Sequence, residues 1–342
     1  MAESDQSLPL GTSREFWKNR RVLILGAGDT AFSAADTLAE LQAELLVVAL
    51  SANPDLLPLF QVIGADPRLG LSEDEMLEAA LEFNPEFIIA SPSFSPEHPV
   101  LTHFVSHADT EVLSEAELAW RLRAVFSEHP AEWITLSGEH ARRVAELAEN
   151  MLSTAGIAAI RLGFGSAPVL DGIRNPEKFD YFLIVLSPEQ LHFQHRVQPL
   201  MSLFLSPDVQ PSWHEDAAAR LVDQGKIFSN TQKFALYNRS DELAEILLRE
   251  ADVIDGCRAI GFWLASPGPG DLGVVEELVV DRAYLEDRRN SALEISTLDE
   301  LQRAGFEGQE QFEIFLAAAA LVRGLGVTPE EITLFLSQRS AF

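Results

Sequence analysis

Apolar runs and amphipathic stretches alternate along almost the whole chain. The runs "RVLILGAG" from Arg21, "AELLVVAL" from Ala43 and "EFIIASP" from Glu86 open on short, unbroken apolar segments rich in β-branched residues. That is the pattern of strands buried on both faces of a sheet. Between and after them, "TAFSAADTLAELQA" from Thr30 and "EAELAWRLRAVF" from Glu115 repeat apolar positions at helical spacing, the second ending near Phe126. A His-Pro break in "SEHPAEW" comes next, and the rhythm resumes with runs at "WITLS", "AAIRLGF", "YFLIVLS", "LMSLFLS" and "KFALYN". Strand–helix alternation of this kind predicts mainly parallel, doubly wound sheets. The expected fold class is α/β in two units, residues 1–127 and 128–342, the first Rossmann-like. From Gly256, "GCRAIGFWLASPGPGDLGVVEELVVDRAYLEDR" breaks the alternation, and its short β-type runs around Pro-Gly-Pro-Gly predict a small antiparallel insert. Two helices close the chain, "EQFEIFLAAAALVRGLG" and "TPEEITLFLSQ", the second opened by a Thr-Pro cap.

Length and composition narrow the picture. At 342 residues the chain exceeds one typical core, and 47% hydrophobic residues exclude disorder. No apolar run reaches membrane-spanning length, so no membrane insertion is expected. The N-terminal "MAESDQSLPLGTSREFW" lacks the basic-then-apolar order of a secretory leader, which points to a cytoplasmic protein. Cys257 stands alone, leaving neither a disulfide framework nor a thiolate metal cluster. The formal net charge is −28, from 53 acidic and 25 basic residues. Such a surface repels duplexes and anionic membranes, so nucleic-acid binding is excluded. A solvated acidic surface explains the charge most simply, and a basic protein partner is the sharper reading.

Two turns carry the candidate chemistry. Gly26-Ala27-Gly28-Asp29-Thr30-Ala31 comes after a strand and opens a helix, where glycines permit a tight turn and close approach of backbone N–H groups to a diphosphate. A dinucleotide site also wants an acid at the end of the next strand, which here reads Val48-Ala49-Leu50-Ser51. A dinucleotide, another diphosphate ligand and plain turn chemistry all stay open. The second turn, Ser137-Gly138-Glu139-His140-Ala141-Arg142-Arg143-Val144, has the strand–turn–helix grammar of a phosphate loop without its Lys and hydroxyl residues. The histidines offer less. His192 and His195 with Glu189, and His214 with Glu215 and Asp216, read as solvated helix faces without a metal-ligand spacing. Ser137 lacks the strained elbow of a hydrolase nucleophile, and no Ser–His–acid set emerges from the sequence.

The chain nevertheless resembles a known family over nearly its whole length. "LGAGDTAFSAADTL", "SPSFSPEHP" from Ser91, "EAELAWRLR", "APVLDGI" from Ala167, "LSPEQL" from Leu186, "DQGKIFSNTQKFALYN" from Asp223 and the stretch from Gly256 are similar to the Mur ligases, in their actinobacterial D-glutamate-adding branch. The resemblance implies a UDP-sugar-binding first domain and a central ATPase-like domain. It also implies that the third, amino-acid-closing domain of the family lies outside this sequence. Those enzymes form an acyl phosphate from ATP and then an amide in peptidoglycan synthesis. The implied UDP-muramoyl crevice would use Gly26, Gly28, Asp29, Thr30, Ser91, Pro92 and Ser93. Ser93 stands in place of the family's glycine, and Ala49 where an acid near the uracil is common.

Within the central domain the departures fall on chemistry. The family's Gly-Thr-Asn-Gly-Lys and two hydroxyl residues correspond to Gly138, Glu139, His140, Ala141, Arg142, Arg143 and Val144. Glu139 would face triphosphate oxygens, where like charges ~4 Å apart cost ~4 kcal/mol at an effective dielectric of 20. Neither arginine reproduces a Lys threaded under the loop. The resemblance assigns the magnesium-binding Glu to Val185, the metal-site His to Gln210 and the modified lysine to Gln224. It assigns the substrate-facing Asn to Phe164 and the nucleotide-facing Asn residues to Gln311 and Ile314. The expectation is a pseudoenzyme that binds neither ATP nor magnesium and holds no metal. It would keep a UDP-muramoyl ligand, or act as a scaffold for another protein of peptidoglycan synthesis. The alternatives are a D-glutamate ligase completed by a separate chain and a UDP-sugar sensor. Phe312, Ile314 and Phe315 make the late helix apolar, either because it fills an emptied cleft or because a partner docks on it.

Overall fold

Two central strands, each ending in a glycine turn, organise the chain. The structure, a computed structural model, describes residues 11–51, 55–107, 110–175, 177–208 and 212–339. The first sheet contains β1 (Arg21–Leu25), β2 (Glu44–Ala49), β3 (Asp66–Leu69), β4 (Phe87–Ala90) and β5 (Glu111–Leu113) in the order β3-β2-β1-β4-β5. All its pairings are parallel. The second contains β6 (Glu132–Ser137), β7 (Ala159–Gly163), β8 (Tyr181–Val185), β9 (Met201–Phe204), β10 (Phe234–Asn238), β11 (Arg258–Phe262), β12 (Asp271–Val275), β13 (Leu278–Asp281) and β14 (Leu293–Thr297). Their order is β14-β13-β12-β11-β10-β9-β6-β8-β7. The α/β class and the runs read as strands are observed. β3 and β5 were not expected; each is a short edge strand with a charged residue, too brief to show a period. No helix among the described residues is long and apolar enough to cross a membrane.

The antiparallel insert is present but arranged differently from the expectation. The Pro267-Gly268-Pro269-Gly270 turn joins β11 to β12 in parallel, with Gly261 beside Asp271. The hairpin comes next, where β12 and β13 pair antiparallel and close on Val275 opposite Leu278. Glu276 between them adopts a left-handed φ of 54°. The Thr-Pro start is observed: Thr328 accepts from the Glu331 amide at the head of the helix Pro329–Arg339.

The late helix Gly308–Gly324 lies against the helix Ala141–Thr154 and against β10 and β11. Phe315 is fully buried and Ile314 nearly so, with Phe315 edge-on to Phe306 at 5.4 Å. Of the two readings of this helix, burial is the one Ile314 and Phe315 follow: these side chains belong to the chain's own core.

A polar seam joins the two sheets' units. Asp171 accepts from Ser33 at 2.5 Å, and Arg174 donates to Asp36 at 2.6 Å. Fully buried Glu117 accepts from Arg121 Nε and from the amides of His195 and Arg196. Glu115, also buried, accepts from the Leu170 amide at 2.6 Å, while its second oxygen has no hydrogen-bond partner among the described residues. Burial, reinforced by nearby Asp171, pushes its carboxyl up to about 8. The native state thus holds Glu115 protonated over a range where the unfolded chain ionises it. Its contribution is complete below the ordinary value of 4.5 and is lost as pH rises through about 8. Urea unfolding should show stability falling by about 2–4 kcal/mol between pH 5 and 8.5. Glu115→Gln should flatten most of that fall, and an unchanged slope would refute the assignment.

Candidate functional site

At the C-terminal ends of β1 and β4 the strand order reverses, the usual place for a ligand crevice in an open α/β sheet. Gly26 leaves β1 with φ 125°, and a Cβ there would lie 2.2 Å from Ser91 Oγ, so only glycine fits against the rim formed after β4. Gly28 caps the helix Asp29–Glu40. Gly28, Asp29 and Ser93 are exposed, and Thr30, Ser91 and Pro92 are partly so. The residues read from sequence as a diphosphate crevice therefore share one rim. Ala49 is buried at the end of β2, and Leu50 after it is half-exposed.

The second turn repeats this device. Gly138 succeeds β6 with φ 94°, and a Cβ there would meet the Ser206 carbonyl beyond β9 at 2.2 Å. His140, at φ 62°, precedes the helix Ala141–Thr154 and gives it no side-chain cap. The loop's amides turn inward: Glu139 N–H donates to Ser206 O, Ala141 N–H to Gly138 O and Val144 N–H to His140 O. A cleft of about 200 Å³ lies against Gly138–Arg143, Phe164, Val185 and Asp208. Arg143 pairs with Glu310, whose carboxyl that guanidinium and then His140 hold below the usual range. The Arg142 guanidinium lies over the Phe164 ring at 5.3 Å. Val185 is buried, and Ser137 is fully buried, donating to Leu186 O at 2.8 Å.

The remaining positions separate from this cleft. Gln311 and Ile314 line a hollow beside Arg143 and Phe306. Gln224 is completely buried with neither amide atom hydrogen-bonded among the described residues. Gln210 lies outside the described residues. No group of three or more His, Cys, Asp or Glu among them is placed to hold a metal ion.

Sequence reading missed a dense polar cluster. Asp223 accepts from His192 Nδ1 at 2.7 Å, His214 Nε2 at 2.9 Å and Lys226 Nζ at 2.7 Å. His214 stacks under Trp213, with centroids 4.1 Å apart, and its side chain is only 3% exposed. Two histidines expected on solvated faces thus converge on one carboxylate, whereas His195 is exposed. The structure also assembles the Ser–His–acid series absent from the sequence reading, because Ser212 Oγ lies 2.5 Å from His214 Nδ1. Ser212 is bonded to Glu189 as well, and a carboxylate there would repel the oxyanion of an acyl-transfer step. The cluster works as a strut. Burial opposes ionisation of Asp223, but hydrogen bonds from His192, Lys226 and His214 prevail and hold its carboxyl at about 2.

Known proteins share this outline. No family model matches the chain. A UDP-N-acetylmuramoylalanine--D-glutamate ligase of Leifsonia xyli subsp. xyli is 38% identical over 342 residues, covering 96% of this chain and 66% of that protein. Proteins of the same name from Streptomyces coelicolor (33% identical, 91% and 65% covered) and Tropheryma whipplei (32% identical, 94% and 67% covered) are also similar. The chain thus spans about two thirds of the length of these relatives. Among solved structures, a murein peptide ligase from Psychrobacter arcticus superposes with TM-score 0.53 at 12% identity, over 93% of this chain and 68% of that one. A UDP-N-acetylmuramate:L-alanyl-gamma-D-glutamyl-meso-diaminopimelate ligase from Neisseria meningitides gives 0.53 at 15% identity, over 93% and 97%. These two show the fold.

Removing Asp223 takes the acceptor from His192 Nδ1 and His214 Nε2 and leaves Lys226 the His192 carbonyl. Asp223→Ala should cost about 3–5 kcal/mol in urea unfolding at pH 7. Because its folded value is depressed, the carboxylate's contribution is present above 3.8 and disappears as pH falls through about 2. A loss below 1 kcal/mol at pH 7 would remove the strut role.

Proposed function

The chain belongs to the family of the UDP-N-acetylmuramoylalanine--D-glutamate ligases within the Mur ligases, and from that premise we propose that it binds a UDP-muramoyl compound without activating ATP. It would act in the cytoplasm as a binding or scaffold protein of peptidoglycan precursor synthesis. One observation carries the reading: the turn after β6 presents side chains that do not fit a magnesium nucleotide. Val185 offers no side-chain oxygen to a metal, and Arg143, where the family has a hydroxyl, would repel one. The amides of Glu139 and Ala141 are already bonded within the fold, leaving fewer donors for a phosphate. The fully buried Gln224 amide, where the family carries a modified lysine, brings no negative charge. The crevice at β1 and β4, by contrast, keeps a glycine turn and an exposed helix start suited to a diphosphate.

The names of the relatives favour a second reading, a working ATP-dependent D-glutamate ligase completed by a separate chain. Titration calorimetry separates the two. Mg-ATP at millimolar concentration should give no binding heat, whereas magnesium-dependent micromolar binding would support the ligase reading and end ours. With UDP-N-acetylmuramoyl-L-alanine at a hundredfold excess over Kd, stabilisation of about 2.7 kcal/mol should raise Tm by a few degrees. A flat melting temperature would leave only the scaffold role.

A further inference from the structure

We propose that Trp213 is a positioning residue for the crevice at β1 and β4, holding its rim from the second unit. The proposal rests on the reading of that crevice as a UDP-muramoyl site. Trp213 Nε1–H donates to the Pro92 carbonyl at 2.8 Å, bridging the two units. Pro92 has no N–H, so its carbonyl is the one backbone polar group by which it can be held. On either side of it the rim is tied down: Ser91 N–H donates to Leu25 O at the end of β1, and Phe94 N–H to Ser91 O. Ser91 packs so closely on Gly26 that a Cβ would not fit, so moving Pro92 changes the spacing between both walls of the crevice.

Trp213 is itself anchored. Its ring stacks on His214 at an interplanar angle of 16° and meets His192 edge-on at 5.4 Å. Both imidazoles bond to Asp223. The chain of contact runs from a buried carboxylate through two imidazoles and an indole to the rim. Trp213, Pro92, Ser93 and Arg220 also line a cleft of about 430 Å³ between the units, so a ligand leaving the crevice would pass beside the indole.

The test uses the full chain and UDP-N-acetylmuramoyl-L-alanine as the probe. Trp213→Phe keeps an aromatic ring on His214 and removes the donor. It should weaken binding roughly five- to tenfold, the worth of about one hydrogen bond. Amide exchange at Ser91 and Phe94 should quicken while β1 and β6 keep their protection. Unchanged affinity with unchanged exchange at the rim overturns the proposal. If Trp213→Phe loosens both sheets, benzothienylalanine at position 213, with sulfur in place of the N–H and the ring size kept, decides. Wild-type affinity in that protein overturns the positioning role, and weakened affinity with native protection sustains it. If the unaltered chain does not bind the probe at all, the UDP-muramoyl reading fails and this proposal falls with it, a result distinct from failure of the variant alone.

Discussion

A single buried carboxylate, Asp223, fixes how the loops of the second unit meet beside the first. It gathers His192 from the segment after β8, His214 from the segment after β9, and Lys226 from the end of its own helix. A carboxylate this deep is tolerable only with several donors, since an unpaired buried charge costs several kcal/mol. Buried His214 is bound by the same need, because a buried polar hydrogen requires an acceptor. Trp213 then rests on an imidazole that cannot readily move, and reaches the first unit from there. Geometry at the crevice rim therefore depends on charge balance within the second unit.

The same construction occurs twice in the chain. In each sheet a central strand ends in a glycine at positive φ, pressed against the loop from the neighbouring strand across the reversal of strand order. Ser91 crowds Gly26, and Ser206 crowds Gly138. The two turns diverge immediately beyond the glycine. After Gly26 the helix starts on small, exposed or half-exposed residues, Gly28, Asp29 and Thr30. After Gly138 the amides bond back into the loop and to Ser206, and a glutamate and two arginines surround the helix start. Packing of Val144, Ala145 and Ala148 into the core is indifferent to this change, because those side chains point away from the turn. Fold and phosphate chemistry are thus separable at this point: the helix stays docked whatever its first turn binds.

Legibility in the sequence depended on physical range. Buried strands such as β1, β2, β6 and β8 carry unbroken apolar runs, and the helix Glu115–Phe126 begins and ends where its spacing predicts. The Gly26 and Ser91 segments could be paired as one crevice only through the family resemblance, and the parallel pairing of β1 with β4 sets them side by side. The Asp223 cluster could not. His192 and Asp223 lie 31 residues apart and His214 and Asp223 nine, on three loops and helices whose approach depends on packing. Each residue alone looks like ordinary surface polarity. Glu115 and Glu117 sit in an amphipathic helical pattern where acids normally face water, yet the second unit buries both. The apolar face of the helix Gly308–Gly324 posed the opposite problem: composition revealed that it must be covered, but not by what. The chain's own helix Ala141–Thr154 covers it.

These buried acids explain why the seam has a defined geometry rather than a greasy one. Apolar surfaces slide at little cost, whereas a carboxylate with fixed donors tolerates little displacement before a hydrogen bond is lost. Glu117 demands two consecutive amides, His195 and Arg196, together with Arg121. Glu115 demands the amide of Leu170 and is kept neutral by the same burial. Asp223 demands two imidazoles and an ammonium. The first two requirements cross the seam and specify one relative arrangement of the two sheets, while the third fixes the loops of the second unit beside it. That arrangement places the indole of Trp213 against Pro92, so the crevice rim is held by residues whose identities are dictated by electrostatics some distance away.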